Sequence, residues 1–358
     1  VADCRRWRNR SNNVQYSTND DTKHNSSINH YTATFGNVLL YAVCFNFLCV
    51  GKNHLIIMDL FGNEIKEELS LADKYLLCPT TVLSKRDPKW QQLKRKWMKL
   101  GIKSEIGRDS MFMNFSGSKD ISILNTESWS DSTKDVVNKM ASMTNGQSIF
   151  DPVLCEIIYK WFCPDGGLIL DPFAGGSVRG IVSNYLGYKY TGIELREEQC
   201  VSNREQAIEI LEVNNQPQWY CGDSEQVLDA KWNIEFDLLF SCPPYMNLEV
   251  YSDLPEDLSN MNDEAFITKY NSIINKSCKL VKQGGYAVFV VGDLRDNKGY
   301  QKDFTGITKQ AFIKAGMKLY NELILVEPVG TKAMTLERGF KNGKLAKVHQ
   351  NIYIFKKP

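Results

Sequence analysis

The sequence has little of what a metal site needs. Its histidines number four and are scattered, its ten cysteines include no C-x-x-C pair, and no zinc-ligand spacing occurs anywhere. No metal is expected, and the cysteines read as free thiols of a reducing cytosol. The chain opens without a basic n-region, apolar stretch and small-residue cleavage site. Its one long apolar run, Val38 to Val50, is shorter than the roughly 20 residues a membrane-spanning helix requires and contains Asn46. A cytoplasmic protein that makes no use of a membrane is expected. Charge of one sign is missing too, since 43 Lys and Arg stand against 42 Asp and Glu. A nucleic-acid partner would therefore need clustered basic residues rather than a globally basic surface.

What is present suits a globular chain: 358 residues, 43% apolar and 24% charged, enough for one large domain or two ordinary ones. The first 57 residues differ from the rest. Asn, Ser and Thr dominate Asn9 to Asn37, and three of the four histidines lie here. Met58-Asp59-Leu60-Phe61-Gly62-Asn63 reads like a natural protein start, so residues 1–57 are expected to be a poorly ordered or non-native extension.

Residues 58–146 carry the basic cluster. Lys85, Arg86, Lys89, Lys94, Arg95, Lys96, Lys99 and Lys103 interleave with Trp90 and Trp97. Trp90, Leu93, Trp97 and Leu100 recur at helical spacing and Pro88 suits a first turn, which predicts an amphipathic helix from Pro88 to Leu100. Two readings stand: a solvated face over a Trp-anchored core contact, or a phosphate-contacting helix in which Lys94, Arg95, Lys96 and Lys99 neutralise backbone charge.

From Phe150 onward strands alternate with helices, which predicts βαβ units, a largely parallel sheet and an α/β domain over residues 147–358. Expected strands are Leu168–Leu170, Tyr188–Ile193, Gln218–Cys221, Phe236–Phe240, Tyr286–Val291, Leu319–Val326 and Ile352–Phe355. Expected helices fill Val153–Phe162, Val178–Leu186, Glu197–Asn214, Asp263–Leu280 and Thr305–Ala315.

Two motifs sit at strand ends. Asp171-Pro172-Phe173-Ala174-Gly175-Gly176-Ser177 is a small strand-to-helix turn whose glycines let backbone N–H groups and a helix N-terminus approach a ligand. About twenty residues on, Glu194 ends the next strand, where a carboxylate would accept from both ribose hydroxyls. Asp223 and Ser224 follow a third strand, with Asp223 placed to accept from an adenine amine. The absence of a further Gly-x-Gly argues against a pyrophosphate grip and hence against NAD; S-adenosylmethionine has no phosphate to hold. The second motif is Ser241-Cys242-Pro243-Pro244-Tyr245. Its prolines fix φ and remove two donors, leaving carbonyls to accept from a substrate N–H, while Tyr245 offers a face for an extruded base. An exocyclic amine is a poor nucleophile because its lone pair is delocalised; hydrogen bonds from its hydrogens would favour the pyramidal form, and displacement at a sulfonium methyl then depends on positioning and electrostatics.

The stretch from Phe150 to the C-terminus resembles the DNA amino-methyltransferase family, which acts on adenine or cytosine amines and carries D-P-F-x-G-x-G followed by D/N/S-P-P-Y/F. The resemblance implies S-adenosylmethionine as cofactor, DNA as partner, and a Rossmann-like methyltransferase sheet, mostly parallel with an antiparallel C-terminal strand. It also implies that Asp151 and Pro152 help hold the methionine moiety. The chain departs from the family at Ser177, where the family has its final glycine, and at Cys242, where it has Asp, Asn or Ser. A thiol is a weak acceptor. Either Ser241 supplies the oxygen, or the Pro243 carbonyl carries more of the activation, or Cys242 attacks a ring carbon. An RNA guanine-amine methyltransferase and a non-catalytic nucleic-acid-binding module remain as alternatives. Asn247 to Ser252 and the Gly292-Asp293-Leu294-Arg295-Asp296 turn are expected beside the same cleft.

Overall fold

The computed structural model describes residues 70–103, 150–246, 252–330, 333 and 336–358, and the backbone of 29–35, 38–44, 57–58 and 64–65. The chain divides into two compact units, Val1–Glu68 and Leu69–Pro358. In the first, strand β1 (Asn29–Phe35) pairs antiparallel with β2 (Val38–Cys44), from Asn29 opposite Cys44 to Phe35 opposite Val38. The short strands β3 (Ile57–Met58) and β4 (Glu64–Ile65) pair likewise. The start of the apolar run at Val38 is thus a strand, and among the described residues no helix is long and apolar enough to cross a membrane. The rest of the expected 1–57 extension lies outside the described residues.

The second unit is built on one eight-stranded sheet in the order β5-β11-β12-β10-β9-β6-β7-β8. In chain order these are β5 (Val82–Ser84), β6 (Leu168–Asp171), β7 (Lys189–Glu194), β8 (Gln218–Cys221), β9 (Phe236–Ser241), β10 (Val281–Val291), β11 (Lys318–Val326) and β12 (His349–Lys356). All neighbours are parallel except that β12 runs antiparallel to both β10 and β11. This is the mostly parallel α/β sheet with an antiparallel last strand that the sequence led one to expect.

Helices cover both faces. On one lie α2 (Pro88–Met98), α3 (Pro152–Phe162), α4 (Val178–Tyr185) and α5 (Glu197–Ile210), the short α1 (Leu71–Lys74) preceding them in sequence; on the other lie α6 (Ser224–Val227), α7 (Asp263–Lys279) and α8 (Phe304–Lys314). The strands serve both cores by alternation. Val288 and Val290 of β10 join the first cluster, while Ala287, Phe289 and Val291 join the second; Ile352 and Ile354 of β12 oppose Tyr353 and Phe355 in the same way. Burial on both faces is why these strands read as continuous apolar runs.

Part of the basic region belongs to this unit. Val82–Ser84 extends the sheet beside β11, with Ile324, Leu325 and Val326 as partners. Helix α2 then packs on α3. Asp87 caps it by accepting from the Lys89 and Trp90 amides, and Pro88 occupies the first turn. Residues 104–149 lie outside the described residues.

Candidate active site

The strand order reverses between β6 and β9. From β6 the chain steps outward through β7 and β8, then returns to the other side of β6, so the loops leaving β6 and β9 diverge and open a crevice at the carboxyl ends of the strands. A cleft of about 320 Å³ fills it. Its walls include Phe173, Gly175 and Gly176 after β6, Glu194 at the end of β7, Asp223 and Ser224 after β8, and Cys242, Pro243, Pro244 and Tyr245 after β9. The two motifs therefore share one cavity.

The glycine turn is braced on every side. Gly175 has φ 52°, the left-handed region that favours glycine. Its amide donates to Glu194 Oε2 (2.9 Å), and its carbonyl accepts from Asn203 Nδ2 (2.8 Å). Arg179, in the first turn of α4, reaches back so that its guanidinium donates to the Phe173 and Ala174 carbonyls, both at 2.7 Å. Ser177 has helical backbone angles and is buried, and its hydroxyl donates to Gln206. Nothing at that position requires glycine, so this departure from the family pattern leaves the turn intact.

Asp171 is fully buried and lies behind the cleft rather than on its wall. Its carboxylate accepts from Arg179 Nε (2.5 Å), Tyr190 Oη (2.7 Å), Ser241 Oγ (2.5 Å) and the Phe173 amide (3.2 Å). Burial alone would lower Arg179, but Asp171, Tyr190 and Cys242 together outweigh it and hold the guanidinium well above its ordinary value. Burial, reinforced by the same carboxylate, pushes the Tyr190 phenol well up.

Three expectations change here. Ser241 is fully buried and spends its hydroxyl on Asp171, so it does not offer an oxygen to a substrate. Asp171 and Ala174 form the floor under the turn and do not line the cleft; Ala174 packs within 2.9 Å of where a β-carbon on Gly192 would stand. Pro152 is buried in the first turn of α3 and likewise stays off the wall.

Glu194 lines the cleft with both carboxylate oxygens engaged, Oε2 with Gly175 and Oε1 with the Arg196 amide (3.1 Å) and Nε (3.3 Å). It lines the cleft and fixes the glycine turn at once. Asp223 caps α6 through the Glu225 amide (3.1 Å) and pairs with Lys269 of α7 at 3.0 Å. Lys269 also donates to the Glu256 carbonyl (2.9 Å), so one ammonium ties the segment around Glu256 to the loop after β8. Ser224 donates to the Pro172 carbonyl at 2.5 Å.

At the second motif, Cys242 is half-buried with its Sγ 3.8 Å from Tyr245 Oη. The Tyr245 ring meets Phe304 edge to face at 6.0 Å and lies over Gly292. Met246, buried at φ 51°, turns the chain away. Asn247 to Tyr251 lie outside the described residues. Asp293 accepts from the Thr305 amide and hydroxyl at 3.0 and 2.9 Å in the first turn of α8, whose N-cap is Asp303, and so serves the helix rather than the cleft.

Helix α2 packs on α3 and reaches Asp151, but its own residues do not line the cleft. Asp151 caps α3 through the Val153 amide and accepts from Trp90 Nε1 (3.3 Å) and Lys94 Nζ (3.4 Å), while Trp97 Nε1 donates to Glu156 (2.7 Å). The tryptophans are therefore anchors, and Lys94 is held by Asp151, leaving Arg95, Lys96 and Lys99 on the exposed side. Lys85 and Glu327, paired at 2.7 Å, extend the cleft toward the β5 edge. Sequence reasoning missed Arg179, Lys269 and the Lys85–Glu327 pair. Only Arg179 carried a signal, an arginine inside an otherwise small, apolar turn and helix start.

No protein-family profile matches the chain, and no curated protein does. Solved structures do. TrmN of Thermus thermophilus aligns over 62% of this chain and 52% of its own, at 15% identity and a TM-score of 0.42, so the chain spans about half that protein's length. A TehB-like SAM-dependent methyltransferase of Corynebacterium glutamicum aligns over 63% of this chain and 97% of its own, at 16% identity and 0.38. A second Thermus thermophilus protein, provisionally assigned as a DNA modification methylase, aligns over 38% and 50%, at 21% identity and 0.29. Likenesses at this level say nothing of substrate.

Proposed function

We propose that this protein transfers a methyl group from S-adenosylmethionine to the exocyclic amine of adenine or cytosine in DNA. One observation carries the reading: the glycine turn and the Pro-Pro-Tyr turn open into the same cleft. The cleft's volume falls at the lower end of small-molecule sites, about 300–1,000 Å³, and its wall groups suit a nucleoside. Gly175 and Gly176 permit close approach, Glu194 accepts from ribose hydroxyls, and Asp223 accepts from the adenine amine. The cofactor, when bound, supplies a sulfonium methyl open to displacement.

The chain's residues do the rest. Tyr245 stacks an extruded base over Pro243 and Pro244. With Ser241 turned inward, the Pro243 carbonyl is the main acceptor for an amine N–H, and the Cys242 thiol is a weak second. With its hydrogen held by the Pro243 carbonyl, the amine nitrogen would be poised to take the methyl that the bound cofactor would supply, the carbon–sulfur electron pair staying with sulfur and the amine proton passing to water. Half-exposed Cys242 beside Tyr245 suits this amine chemistry better than attack on ring carbon, because the platform presents the ring's edge amine to the carbonyls.

Tritiated cofactor incubated with duplex DNA, single-stranded DNA and tRNA tests the reading. Label in DNA, lost in Pro244→Ala, is expected. Label only in tRNA would move the substrate to RNA, and cofactor binding without transfer to any of them would leave a non-catalytic module.

A further inference from the structure

Beside the cleft lies a charged surface that the motifs do not account for. The segment from Leu336 to Lys347 joins β11 to β12 and begins with the short helix α9 (Leu336–Lys341). Four cations, Arg338, Lys341, Lys344 and Lys347, stand here against one carboxylate, Glu337, in a chain whose net charge is only +1. Phe340 and Leu345 are 69% and 74% exposed between them, and Tyr300, on the neighbouring loop after β10, is 72% exposed. Large apolar side chains set between cations are costly to show to water unless a partner covers them.

The two loops are packed together. The Lys344 stem lies against Gly299, within 2.8 Å of where a β-carbon would stand, and Arg295 donates to the Gly299 carbonyl at 2.7 Å. One end of this surface comes close to a residue of the cleft wall. The Lys347 ammonium and the Tyr245 ring both face Gly292, at 3.8 and 3.6 Å from a β-carbon built there. Cations that end beside the base-stacking tyrosine, with exposed aromatics among them, match a nucleic-acid strand, whose phosphates need cations and whose unstacked bases need flat apolar faces.

We infer that the Leu336–Lys347 segment, together with the Tyr300 loop, is the docking surface that guides a DNA strand into the cleft. Arg338 and Lys344 sit on phosphates, and Phe340 and Tyr300 cover the bases left unstacked when the target base is extruded. This rests on the reading of the cleft as a nucleobase methylation site. It also gives the chain a DNA-recognition element distinct from the basic helix α2.

The test measures fluorescence anisotropy of labelled duplex DNA, single-stranded DNA and single-stranded RNA across a salt series. It compares the full chain with Arg338→Ala/Lys344→Ala and with Phe340→Ala, and calorimetry with S-adenosylmethionine is run on each. The double variant is expected to bind duplex DNA at least tenfold more weakly and to flatten the log–log salt slope by about 0.9 for each cation removed. Phe340→Ala is expected to weaken single-strand binding about tenfold. Cofactor affinity should stay unchanged in both. All three side chains are exposed, so folding is not at stake. Variants that keep wild-type affinity and slope would overturn the inference. So would binding confined to RNA, or a wild type that binds cofactor but no nucleic acid, and that last result would leave methyl transfer to another substrate standing. Absence of cofactor binding in the wild type would instead sink the functional reading itself.

Discussion

Cys242 and Ser241 are adjacent, yet the fold gives them opposite tasks. Ser241, the last residue of β9, faces the buried Asp171; Cys242, the next residue, faces the cleft. On the proposed reading, replacing Cys242 with serine sets an oxygen acceptor at the amine, and one extra hydrogen bond of about 1 kcal/mol should raise kcat roughly fivefold. Ser241→Ala should leave kcat nearly unchanged but destabilise the fold by about 1–3 kcal/mol, because Asp171 loses a buried donor. Steady-state kinetics and chemical unfolding of the two variants separate these roles; a kcat loss in Ser241→Ala with unaltered stability would reverse the assignment. Glu194→Ala removes the brace on the Gly175 amide and, on the proposed reading, the ribose acceptor, so cofactor Kd measured by calorimetry should rise by at least tenfold. The cleft residues that follow β6, β7, β8 and β9 were legible in the sequence because each lies at the end of a strand whose apolar run announces it. Their orientation was not, since whether Ser241 or Cys242 points inward depends on strand register that a short motif does not encode.

The elements were legible where periodicity was long. Gln218–Cys221 has the expected bounds, and the six long helices differ from expectation by a residue or so at most ends, the exceptions being α2, which stops at Met98 where Leu100 was expected, and α5, which stops at Ile210 where helical continuation to Asn214 was expected. The short β5 and α6 were missed, since three or four residues carry no period to read. The basic helix came out as an anchor as well as a charged face. Trp90 and Trp97 donate to carboxylates on or beside α3, and Lys94 is drawn to Asp151, so the helix cannot present all its cations outward. Lys94→Ala/Arg95→Ala/Lys96→Ala should weaken DNA binding across all sequences and flatten the salt slope by about 1.8, for two contacts rather than three. An unchanged slope in anisotropy titrations would leave α2 a structural element alone. Trp97→Phe, which strips Glu156 of a 2.7 Å donor in a buried site, should cost about 1–3 kcal/mol of stability without touching cofactor affinity.

At the scale of the whole molecule, a two-faced core surrounds several titratable groups. Burial pushes the Cys155 thiol and the Tyr159 and Tyr190 phenols well up, and the Cys163 and Cys278 thiols up to about 12. A group raised on folding contributes its stability in full below its unfolded value, and that contribution is lost as pH rises through the folded value. Stability should therefore be flat with respect to these groups through neutrality and begin to fall above the ordinary thiol value of 9.0, more steeply beyond the ordinary phenol value of 10.0. Urea unfolding at successive alkaline pH values checks this; stability that rose above pH 9.0 would contradict the burial of these groups. The mostly parallel sheet was legible from the βαβ alternation, since parallel strands with crossover helices admit few arrangements; its strand order was not. Lys269 and the Lys85–Glu327 pair were not, because each joins segments far apart in the chain, and nothing in a single ordinary lysine or glutamate marks its distant partner.

The most direct measurement is mass spectrometry of nucleosides digested from DNA that has been incubated with the full chain and S-adenosylmethionine. The expected result is deoxyadenosine or deoxycytidine heavier by one methyl on its exocyclic nitrogen, absent when Pro244→Ala replaces the wild type. Unmodified nucleosides from DNA, under conditions where calorimetry shows the cofactor bound, would contradict it.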